Sequence, residues 1–417
     1  MSKFIINGGK NLKGEIEVSG SKNAVLACMA ACLLTDEPCR LTNVPMIGDV
    51  MTMAEIIRDL GVKVEVRDHE VLIEAKNLVK TNLNPELVSK LRGSILLVGP
   101  LVGRARKVSL PHPGGDKIGV RPIDTHIAAL KDLGVEVKVG EVVEFNAQNL
   151  QGSKIVLEET SVTATENAMM AASLATDKTV IRLAAMEPHV QCLGAMLEKM
   201  GAKISGFGTP TIIIEGVKKL SGVDLKIIAD GEEAASFITL AAATKSHIKI
   251  SKLNSENLED YLLKLKKMNV NFAVNKDSVE VFEPKSDYQA TKIQCGFYPK
   301  LNSDFMPPMA VLATQAQGES LFDEWMYESR LGYVPELNKM GANVQVLDPH
   351  RVKITGPTPL HSAKITSYDL RMGITLVIAA LTASGESEIE GVEHVDRGYE
   401  NLEERLSAIG ADIKRED

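Results

Sequence analysis

The segment DLGVKVE, residues 59–65, decides the fold because variants of it recur along the chain. Five more copies place a glycine or asparagine between a helix-like half and a strand-like half: DLGVEVK (132–138), KMGAKIS (199–205), KMNVNFA (267–273), KMGANVQ (339–345) and AIGADIK (408–414). Between the third residues of successive copies the intervals are 73, 67, 68, 72 and 69 residues. A near-constant period of this length indicates six copies of one structural unit.

Each phrase is typical of a helix end followed by a strand. The central glycine or asparagine suits the left-handed conformation that ends many helices, and the alternation after it predicts a half-buried strand. Upstream of the phrases lie helical segments rich in small residues, such as SKNAVLACMAACLL (21–34) and TATENAMMAASLA (163–175). These helices lack a wide polar face, so the sequence predicts that they are buried inside a ring of sheets.

The length favours two lobes over one ring. Single hydrophobic cores stop growing near about 250 to 300 residues, and this chain has 417. Six units therefore predict two groups of three, with the junction near Ala229. The first lobe is predicted over residues 20–229, and the second over residues 1–19 together with 230–417.

Composition excludes several classes of function. The chain has 47 basic and 55 acidic residues, a net charge of −8, and 4% aromatic residues. This offers neither a basic face nor many stacking surfaces for nucleic acid, so no nucleic-acid partner is expected. The apolar stretch at residues 24–34 is too short to cross a bilayer, so no membrane partner is expected either.

Cofactor motifs are absent from the sequence. The five cysteines, an odd number without a CxxC pair, favour neither a disulfide framework nor a zinc site, and indicate a reducing, cytoplasmic compartment. No phosphate-binding GxxxxGK[ST], dinucleotide GxGxxG or HExxH motif occurs. We therefore expect no cofactor and no metal.

Basic residues at comparable places in the repeats point to an anionic ligand. Six of them stand at predicted helix starts or in turns rich in glycine and proline: Lys22, Arg92, Arg121, Arg330, Arg371 and Arg397. Helix N-termini carry a partial positive charge and free N–H donors. Cations placed there predict a binding site for a strongly anionic ligand.

Two acidic residues stand apart in loops. Asp116 lies in PHPGGDKIG, and the proline and glycine content of residues 111–119 predicts a mobile loop of the kind that closes active sites. Asp304 lies in KLNSDFMPPM, just before an apolar helix. Residue type alone favours turn or helix-capping roles for both.

Eight sequence motifs together resemble those of one known family over essentially the whole chain. They are SGSKNA (19–24), RGSILLVGPL (92–101), PGGDKIGVRPIDTHI (113–127), SVTATEN (161–167), NSDFMPP (302–308), ESRLGYVPEL (328–337), DLRMG (369–373) and DRGYENLEERL (396–406). The family is that of the UDP-N-acetylglucosamine 1-carboxyvinyltransferases (the MurA family). The resemblance implies an α/β fold of two inside-out α/β barrel lobes, each of three repeated units, with the active site in the cleft between them.

The resemblance also implies a reaction. Members transfer the enolpyruvyl group of phosphoenolpyruvate to the 3-hydroxyl of UDP-N-acetylglucosamine and release phosphate, the first committed step of peptidoglycan synthesis. They need no metal or organic cofactor, and the resemblance implies no obligate protein partner.

Roles follow by motif from the resemblance. Phosphoenolpyruvate would contact Lys22 and Asn23, with Arg121 and Arg397 on its phosphate and Arg330 and Arg371 on its carboxylate. The UDP-sugar would contact Arg92, Arg121, Pro122, Ile123, Asp124, Thr125, Ser161, Val162, Asp304 and Met326. The catalytic residues would be Asp116 as proton donor to C3, Asp304 as base, Lys22 and Arg397.

Four positions depart from the family pattern. Asp116 stands where cysteine is usual, and because fosfomycin alkylates that cysteine, the resemblance implies an enzyme insensitive to fosfomycin. Thr163 stands where glycine is common, and Glu159 stands at a place that is often basic. DGEEAASF (230–237) replaces a common DRIEAGTF, so Gly231 stands where arginine is usual.

Two alternatives remain open from the sequence. A related enolpyruvyl transferase could act on another hydroxyl, such as that of shikimate 3-phosphate, although Asn23 and the loop sequence resemble the UDP-sugar branch. A non-catalytic UDP-sugar-binding protein is the other alternative, motivated by Gly231 and Glu159.

Overall fold

The computed structural model describes residues 2–115 and 118–416, and these residues form two compact units. The N-terminal unit comprises Gly20–Gly115 and Arg121–Ile228. The C-terminal unit comprises residues 2–19, 118–120 and 229–416. Each unit has its own hydrophobic core.

The α-helices of the described residues are numbered in chain order. They are α1 (Lys22–Ala31), α2 (Gly48–Asp59), α3 (Pro85–Val88), α4 (Val98–Ala105), α5 (Asp124–Asp132), α6 (Val162–Ala172), α7 (Pro188–Lys199), α8 (Gly231–Ala243), α9 (Glu259–Lys267), α10 (Met306–Thr314), α11 (Val334–Lys339), α12 (Leu370–Thr382) and α13 (Leu402–Ala408). Short 3-10 helices occur at Cys32–Leu34, Ala75–Asn77, Arg92–Leu97, Ser255–Leu258, Ser303–Phe305, Arg330–Tyr333 and Val392–Arg397.

The strands are short and are numbered in the same way. They are β1 (Lys3–Gly8), β2 (Lys13–Glu17), β3 (Cys39–Thr42), β4 (Lys63–Arg67), β5 (Glu70–Glu74), β6 (Lys107–Pro111), β7 (Glu136–Val139), β8 (Val142–Asn146), β9 (Lys154–Val156), β10 (Lys178–Arg182), β11 (Lys203–Ser205), β12 (Thr211–Glu215), β13 (Asp224–Lys226), β14 (His247–Ser251), β15 (Phe272–Val274), β16 (Ser278–Val281), β17 (Lys292–Gln294), β18 (Gly318–Asp323), β19 (Asn343–Asp348), β20 (Arg351–Gly356), β21 (Lys364–Thr366), β22 (Gly385–Glu390) and β23 (Asp412–Glu416).

Each unit contains three small sheets of one design. The N-terminal unit has the orders β13-β3-β5-β4, β11-β12-β10-β9 and β6-β8-β7, and the C-terminal unit has β21-β22-β1-β23, β15-β16-β14-β2 and β17-β18-β20-β19. Every four-stranded sheet has one parallel edge pair and two antiparallel pairs. In the three-stranded sheet, a single parallel bridge from Asn82 to Ser109 takes the place of the missing edge strand. The sheets therefore repeat with the sequence.

The helices rich in small residues are the interior of both units. Residues 24–31 of α1, 232–243 of α8 and 370–381 of α12 are all buried, and so is the whole of α10. Alanine and methionine allow this because neither requires a hydrogen-bond partner on any face. The prediction of apolar helices inside sheets is confirmed, as is the inside-out barrel fold class.

All six repeated phrases adopt the predicted conformation. Their third residues have positive φ angles: Gly61 92°, Gly134 84°, Gly201 99°, Asn269 61°, Gly341 87° and Gly410 98°. Each follows an amphipathic outer helix (α2, α5, α7, α9, α11 or α13) and precedes a strand. Asparagine can replace glycine in the fourth copy because it tolerates the left-handed region better than other residues with a side chain.

The helix lengths also bear on membrane insertion. Among residues 2–115 and 118–416, none of the helices has the length and apolar character needed to cross a membrane.

Candidate active site

Five of the candidate residues lie near the N-terminal ends of inner helices. In the N-terminal unit, Lys22 begins α1, Arg92 begins the 3-10 helix that leads into α4, and Ser161 caps α6. In the C-terminal unit, Asp304 lies in the 3-10 helix that leads into α10, and Arg371 is the second residue of α12. The repeat thus brings chemically useful side chains to equivalent positions, where helix N-termini favour anions.

Lys22 has a buried carboxylate beside it. Ser21 caps α1 by accepting a hydrogen bond from the Ala24 amide at 3.3 Å, which fixes where the helix begins. The Lys22 ammonium lies 3.4 Å from Asp49 Oδ2, with the two side chains 16% and 4% exposed. Asn23 follows on the same helix turn and is partly buried. This end of α1 therefore presents a shielded cation whose charge is balanced within the unit.

Two glycines fix the start of the predicted mobile loop. The Gly114 amide donates to the Val88 carbonyl at 3.1 Å, and a Cβ at Gly114 would lie 1.6 Å from the Ser89 carbonyl oxygen. Gly115 has φ 102°, and a Cβ there would lie 2.8 Å from Arg92 Cβ. Only glycine permits so close an approach, so the Gly-Gly pair packs this end of the loop against Arg92.

Beyond the glycines, the predicted proton donor Asp116 lies outside the described residues. The Arg92 guanidinium donates a hydrogen bond to the Arg121 carbonyl. The predicted UDP-sugar segment consists of an irregular stretch, Arg121 to Ile123, followed by the first turn of α5, where Asp124 is exposed and Thr125 is buried. The arginine contact therefore ties the start of this segment to the start of the α4 region.

His126, which was not among the predicted site residues, links α5 to α6. His126 Nε2 lies 2.8 Å from the Thr163 hydroxyl, while its Nδ1 has no hydrogen-bond partner among the described residues. Burial and then the charge of Arg92 lower the pKa of His126 to about 3, so the ring is neutral. The contact gives a structural reason for Thr163, where the family has glycine. Ser161 and Val162 lie just before it, as the cap and first residue of α6.

In the C-terminal unit, Asp304 is held between two arginines. Arg330 donates to Asp304 Oδ1, and Arg371 Nε donates to Oδ2 at 2.7 Å. The arginine side chains are only 5% and 6% exposed, and that of Asp304 is 21% exposed. Burial opposes the charge on Arg371, but Asp304, Tyr399, Glu232 and Asp230 together outweigh it and raise the pKa of Arg371 well above its ordinary value. The cluster is a pair of permanent cations around one carboxylate.

Met326, Arg397 and the departure at Gly231 also belong to this unit. Met326 packs partly buried against the core, four residues before Arg330. Arg397 ends the 3-10 helix Val392–Arg397 and is partly buried. At Gly231, the first residue of α8, an added Cβ would find its nearest atoms 3.7 Å and 3.9 Å away, on Leu258 and Phe305. The backbone therefore does not require glycine where the family has arginine.

The segment after Asp116 is attached to the chain just before Arg330. The Val120 amide donates to Glu328 Oε1 at 2.7 Å, and the Ser329 amide donates to the Ile118 carbonyl at 3.1 Å. Gly119 lies between them with φ 144°, and a Cβ there would be 2.5 Å from Glu328 Oε2. Glycine is thus required for the carboxylate to reach the Val120 amide.

Glu232, which was likewise not among the predicted site residues, joins two inner helices of the C-terminal unit. Asn302 Nδ2 donates to Glu232 Oε1 at 3.2 Å, and Asn302 Oδ1 accepts from the Asp304 amide at 2.9 Å. Glu232 is 6% exposed. Burial and then the charge of Asp230 raise the pKa of Glu232 to about 8, against the opposing effect of Arg371. The sequence signal that could have identified Glu232 is an acidic residue within an otherwise apolar helical segment.

The raised pKa of Glu232 predicts a pH-dependent effect of Glu232→Gln on stability. In the unfolded chain the carboxyl ionises near 4.5, whereas the folded protein holds it protonated up to about 8. The wild type therefore loses stability from this group as pH rises through that interval, with Asp230, Asp304 and Arg371 facing the carboxyl. Denaturant unfolding should show the Glu232→Gln variant gaining stability relative to wild type from pH 5 to pH 8. A pH-independent difference would contradict the prediction.

Comparisons with known proteins agree with the fold and extend to the family. The family profile described as EPSP synthase (3-phosphoshikimate 1-carboxyvinyltransferase) matches residues 6–406. Among solved structures, the enolpyruvyl transferase NikO from Streptomyces tendae superposes with a TM-score of 0.91 at 24% identity, covering 99% of this chain and 98% of that one. EPSP synthase from Acinetobacter baumannii gives 0.77 at 19% identity, with both chains covered in full. These structural similarities establish the fold.

Curated relatives are more similar in sequence. UDP-N-acetylglucosamine 1-carboxyvinyltransferase from Treponema denticola is 43% identical, with 99% of each chain covered. The enzyme of that name from Bradyrhizobium diazoefficiens is also 43% identical, over 99% of this chain and 98% of its own.

The family profile and the fold define the class of protein as an enolpyruvyl transferase. Within that class the full-length relatives are more specific than the profile. The chain belongs to the family of UDP-N-acetylglucosamine 1-carboxyvinyltransferases.

Proposed function

We propose that the chain transfers the enolpyruvyl group of phosphoenolpyruvate to the 3-hydroxyl of UDP-N-acetylglucosamine and releases phosphate. The observation that carries the proposal is the 43% identity over 99% of both chains to an enzyme named for this reaction. The arginines around Asp304 and the cations at inner helix starts supply the charge complementarity that two anionic substrates require.

Phosphoenolpyruvate carries a phosphate and a carboxylate, and the chain offers cations suited to each. Lys22 and Asn23 are proposed to contact phosphoenolpyruvate, with Arg121 and Arg397 on its phosphate and Arg330 and Arg371 on its carboxylate. Charge-assisted bonds of this kind contribute about 1.5 to 3 kcal/mol each. The planar guanidinium groups match a carboxylate in two-point geometry, and their present partner, Asp304, is itself a carboxylate.

The residues proposed to contact the UDP-sugar are those that the family resemblance implies. They are Arg92, the stretch Arg121 to Thr125, the cap of α6 at Ser161 and Val162, Asp304 and Met326. The start of α6 offers backbone N–H donors to a diphosphate. The departures at Glu159 and Gly231 remove positive charge from this family pattern, so we expect weaker binding of the nucleotide part.

The chemistry needs one proton added to C3 and two removed, first from the sugar hydroxyl and later from C3. As the sugar O3 attacks C2 of the enol, Asp304 accepts the hydroxyl proton and Asp116 delivers a proton to C3, which forms a tetrahedral phosphate-bearing adduct. Loss of phosphate, with return of a proton from C3 to the Asp116 carboxylate, then restores the double bond in the product ether. Lys22 and Arg397 are proposed to stabilise the charge that develops on the leaving phosphate.

The cellular role follows from this reaction. We propose a cytoplasmic enzyme of cell-wall synthesis that acts on two small molecules without an obligate protein partner. The proposal for a different hydroxyl acceptor is not favoured, because relatives sharing 43% of residues bear the name of the UDP-sugar enzyme.

Phosphate release with defined acceptors tests the proposal. The protein is incubated with phosphoenolpyruvate and either UDP-N-acetylglucosamine or shikimate 3-phosphate, and inorganic phosphate and the ether product are measured. Phosphate release is expected when the acceptor is UDP-N-acetylglucosamine and not when it is shikimate 3-phosphate. Release only with shikimate 3-phosphate would identify the other acceptor class, and binding of the UDP-sugar without any release would identify a non-catalytic binding protein.

A further inference from the structure

Glu324 is a buried carboxylate next to the Asp304 cluster that has no role in the proposed reaction. It directly follows β18 and is 1% exposed. Both backbone polar groups of Glu324 are paired with His350. The Glu324 amide donates to the His350 carbonyl at 2.7 Å, and the Glu324 carbonyl pairs with His350 Nδ1 at 2.7 Å. The carboxylate therefore projects from a firmly held point of the C-terminal unit.

Four donors from three chain segments meet this one carboxylate. The Ser303 hydroxyl donates to Oε2 at 2.6 Å, and Oε1 accepts from the Met326 amide at 3.1 Å, the Tyr327 amide at 3.3 Å and Cys295 Sγ at 3.2 Å. Two carboxylate oxygens can accept all four bonds, whereas a glutamine has only one acceptor oxygen. The site is therefore built for a carboxylate.

The contacts lead directly to the proposed catalytic cluster. Ser303 precedes Asp304 in the same 3-10 turn, and the Ser303 hydroxyl also accepts from Arg330 Nε at 3.4 Å. Arg330 in turn donates to Asp304. A hydrogen-bonded path thus runs from Glu324 through Ser303 to both members of the Asp304–Arg330 pair.

Packing does not explain a carboxylate at this place. Burying one costs several kcal/mol, and replacing buried ionic groups by apolar side chains of similar volume is often neutral or stabilising. From the path and this cost we propose that Glu324 is a positioning residue that fixes, through Ser303, the orientation of Asp304 and Arg330 toward phosphoenolpyruvate. The inference rests on the proposed function of those two residues.

Glu324→Gln tests the proposal with almost no change of shape. The NH2 group of the new glutamine faces a hydrogen-bond donor in either orientation. It faces the backbone N–H groups of Met326 and Tyr327, which cannot accept, or the Ser303 hydroxyl, which then loses its acceptor. We expect kcat/KM for phosphoenolpyruvate to fall about 10- to 100-fold, with a higher KM, because small displacements of reacting groups cost this much. The measurement is steady-state phosphate release on the folded full-length variant.

A double-mutant cycle with Ser303→Ala separates positioning from general support of the fold. Ser303→Ala removes the link to Arg330 but leaves Glu324 its three other donors. If Glu324 acts through Ser303, Glu324→Gln adds little further loss of kcat/KM in the Ser303→Ala background. Additive losses in the cycle would overturn the proposal, and Ser303→Ala alone tests the path if Glu324→Gln fails to fold.

Glu336→Gln is the matched control. Glu336 is 5% exposed in the same unit, accepts the Thr366 amide at 3.0 Å and pairs with Lys339 at 2.7 Å. The Glu336→Gln substitution should lower the melting temperature while leaving kcat/KM within about twofold of wild type, because it removes buried contacts away from the Asp304 cluster. An equal loss of kcat/KM in this control, or wild-type kinetics in Glu324→Gln, would refute the positioning role. A wild type without phosphate release would instead refute the proposed function.

Discussion

Asp304→Asn is expected to reduce turnover at least about a hundredfold while leaving UDP-N-acetylglucosamine binding largely intact, because loss of a general base typically costs about 10²- to 10⁴-fold. The substitution keeps the size of the side chain and one oxygen that can accept from Arg330 or Arg371, but it removes the carboxylate that would take the sugar hydroxyl proton. Phosphate release measures turnover, and calorimetric titration with the UDP-sugar measures binding.

Asp348→Asn is the control for this substitution. Asp348 also accepts from an arginine at 2.7 Å, the Nε of Arg351, but it does so at the end of β19 with a side chain 32% exposed. Its replacement should change neither turnover nor binding. Near wild-type turnover in Asp304→Asn would leave Asp304 only as the residue that balances the two arginines.

Substitutions at residue 116 are expected to separate the proton donor from the site of inactivation. Asp116→Ala should lose most turnover because no group remains to protonate C3. Asp116→Cys should retain activity and become subject to time-dependent inactivation by fosfomycin, since a thiolate opens the epoxide far more readily than a carboxylate does. The unmodified enzyme is expected to resist the compound. Phosphate release after timed preincubation with fosfomycin measures all three.

The native cysteines provide an internal control for the fosfomycin experiment. All five are buried free thiols, and Cys28 is completely buried within α1. The neighbouring Cys192 and burial hold the pKa of the Cys28 thiol well above its ordinary value, so it is a poor nucleophile. Rapid inactivation of the unmodified enzyme, or full activity in Asp116→Ala, would refute the assignment of Asp116 as proton donor.

The fold could be predicted from the sequence because the same local sequence pattern occurs six times. Each phrase combines a helix end, a residue with positive φ and an alternating strand, and six agreeing copies make a chance match improbable. The buried helices were equally visible, because an alanine- and methionine-rich segment such as α1 has no polar face to place in water. Local chemistry and period together therefore specified the architecture.

The contacts within the candidate site were harder to predict from the sequence. Residue type and helix position indicated Arg330 and Arg371, and the family resemblance indicated Asp304, but neither showed that one carboxylate holds both arginines. His126 and Glu232 were missed because their roles depend on partners distant in sequence, Thr163 and Asn302. Such pairings are set by the packing of helices from different repeats, and no single segment encodes them.

The Asp304 cluster also has a consequence for the unliganded molecule. Two guanidinium groups that are 5% and 6% exposed would repel each other and destabilise the fold if no negative charge lay between them. Asp304 serves as an internal counterion, so the chain can reach its native state before it meets any substrate. A carboxylate ligand arriving at these arginines must then exchange with a resident one, and its affinity reflects the difference between two pairings. We therefore expect weakly binding acids to be disfavoured at these arginines.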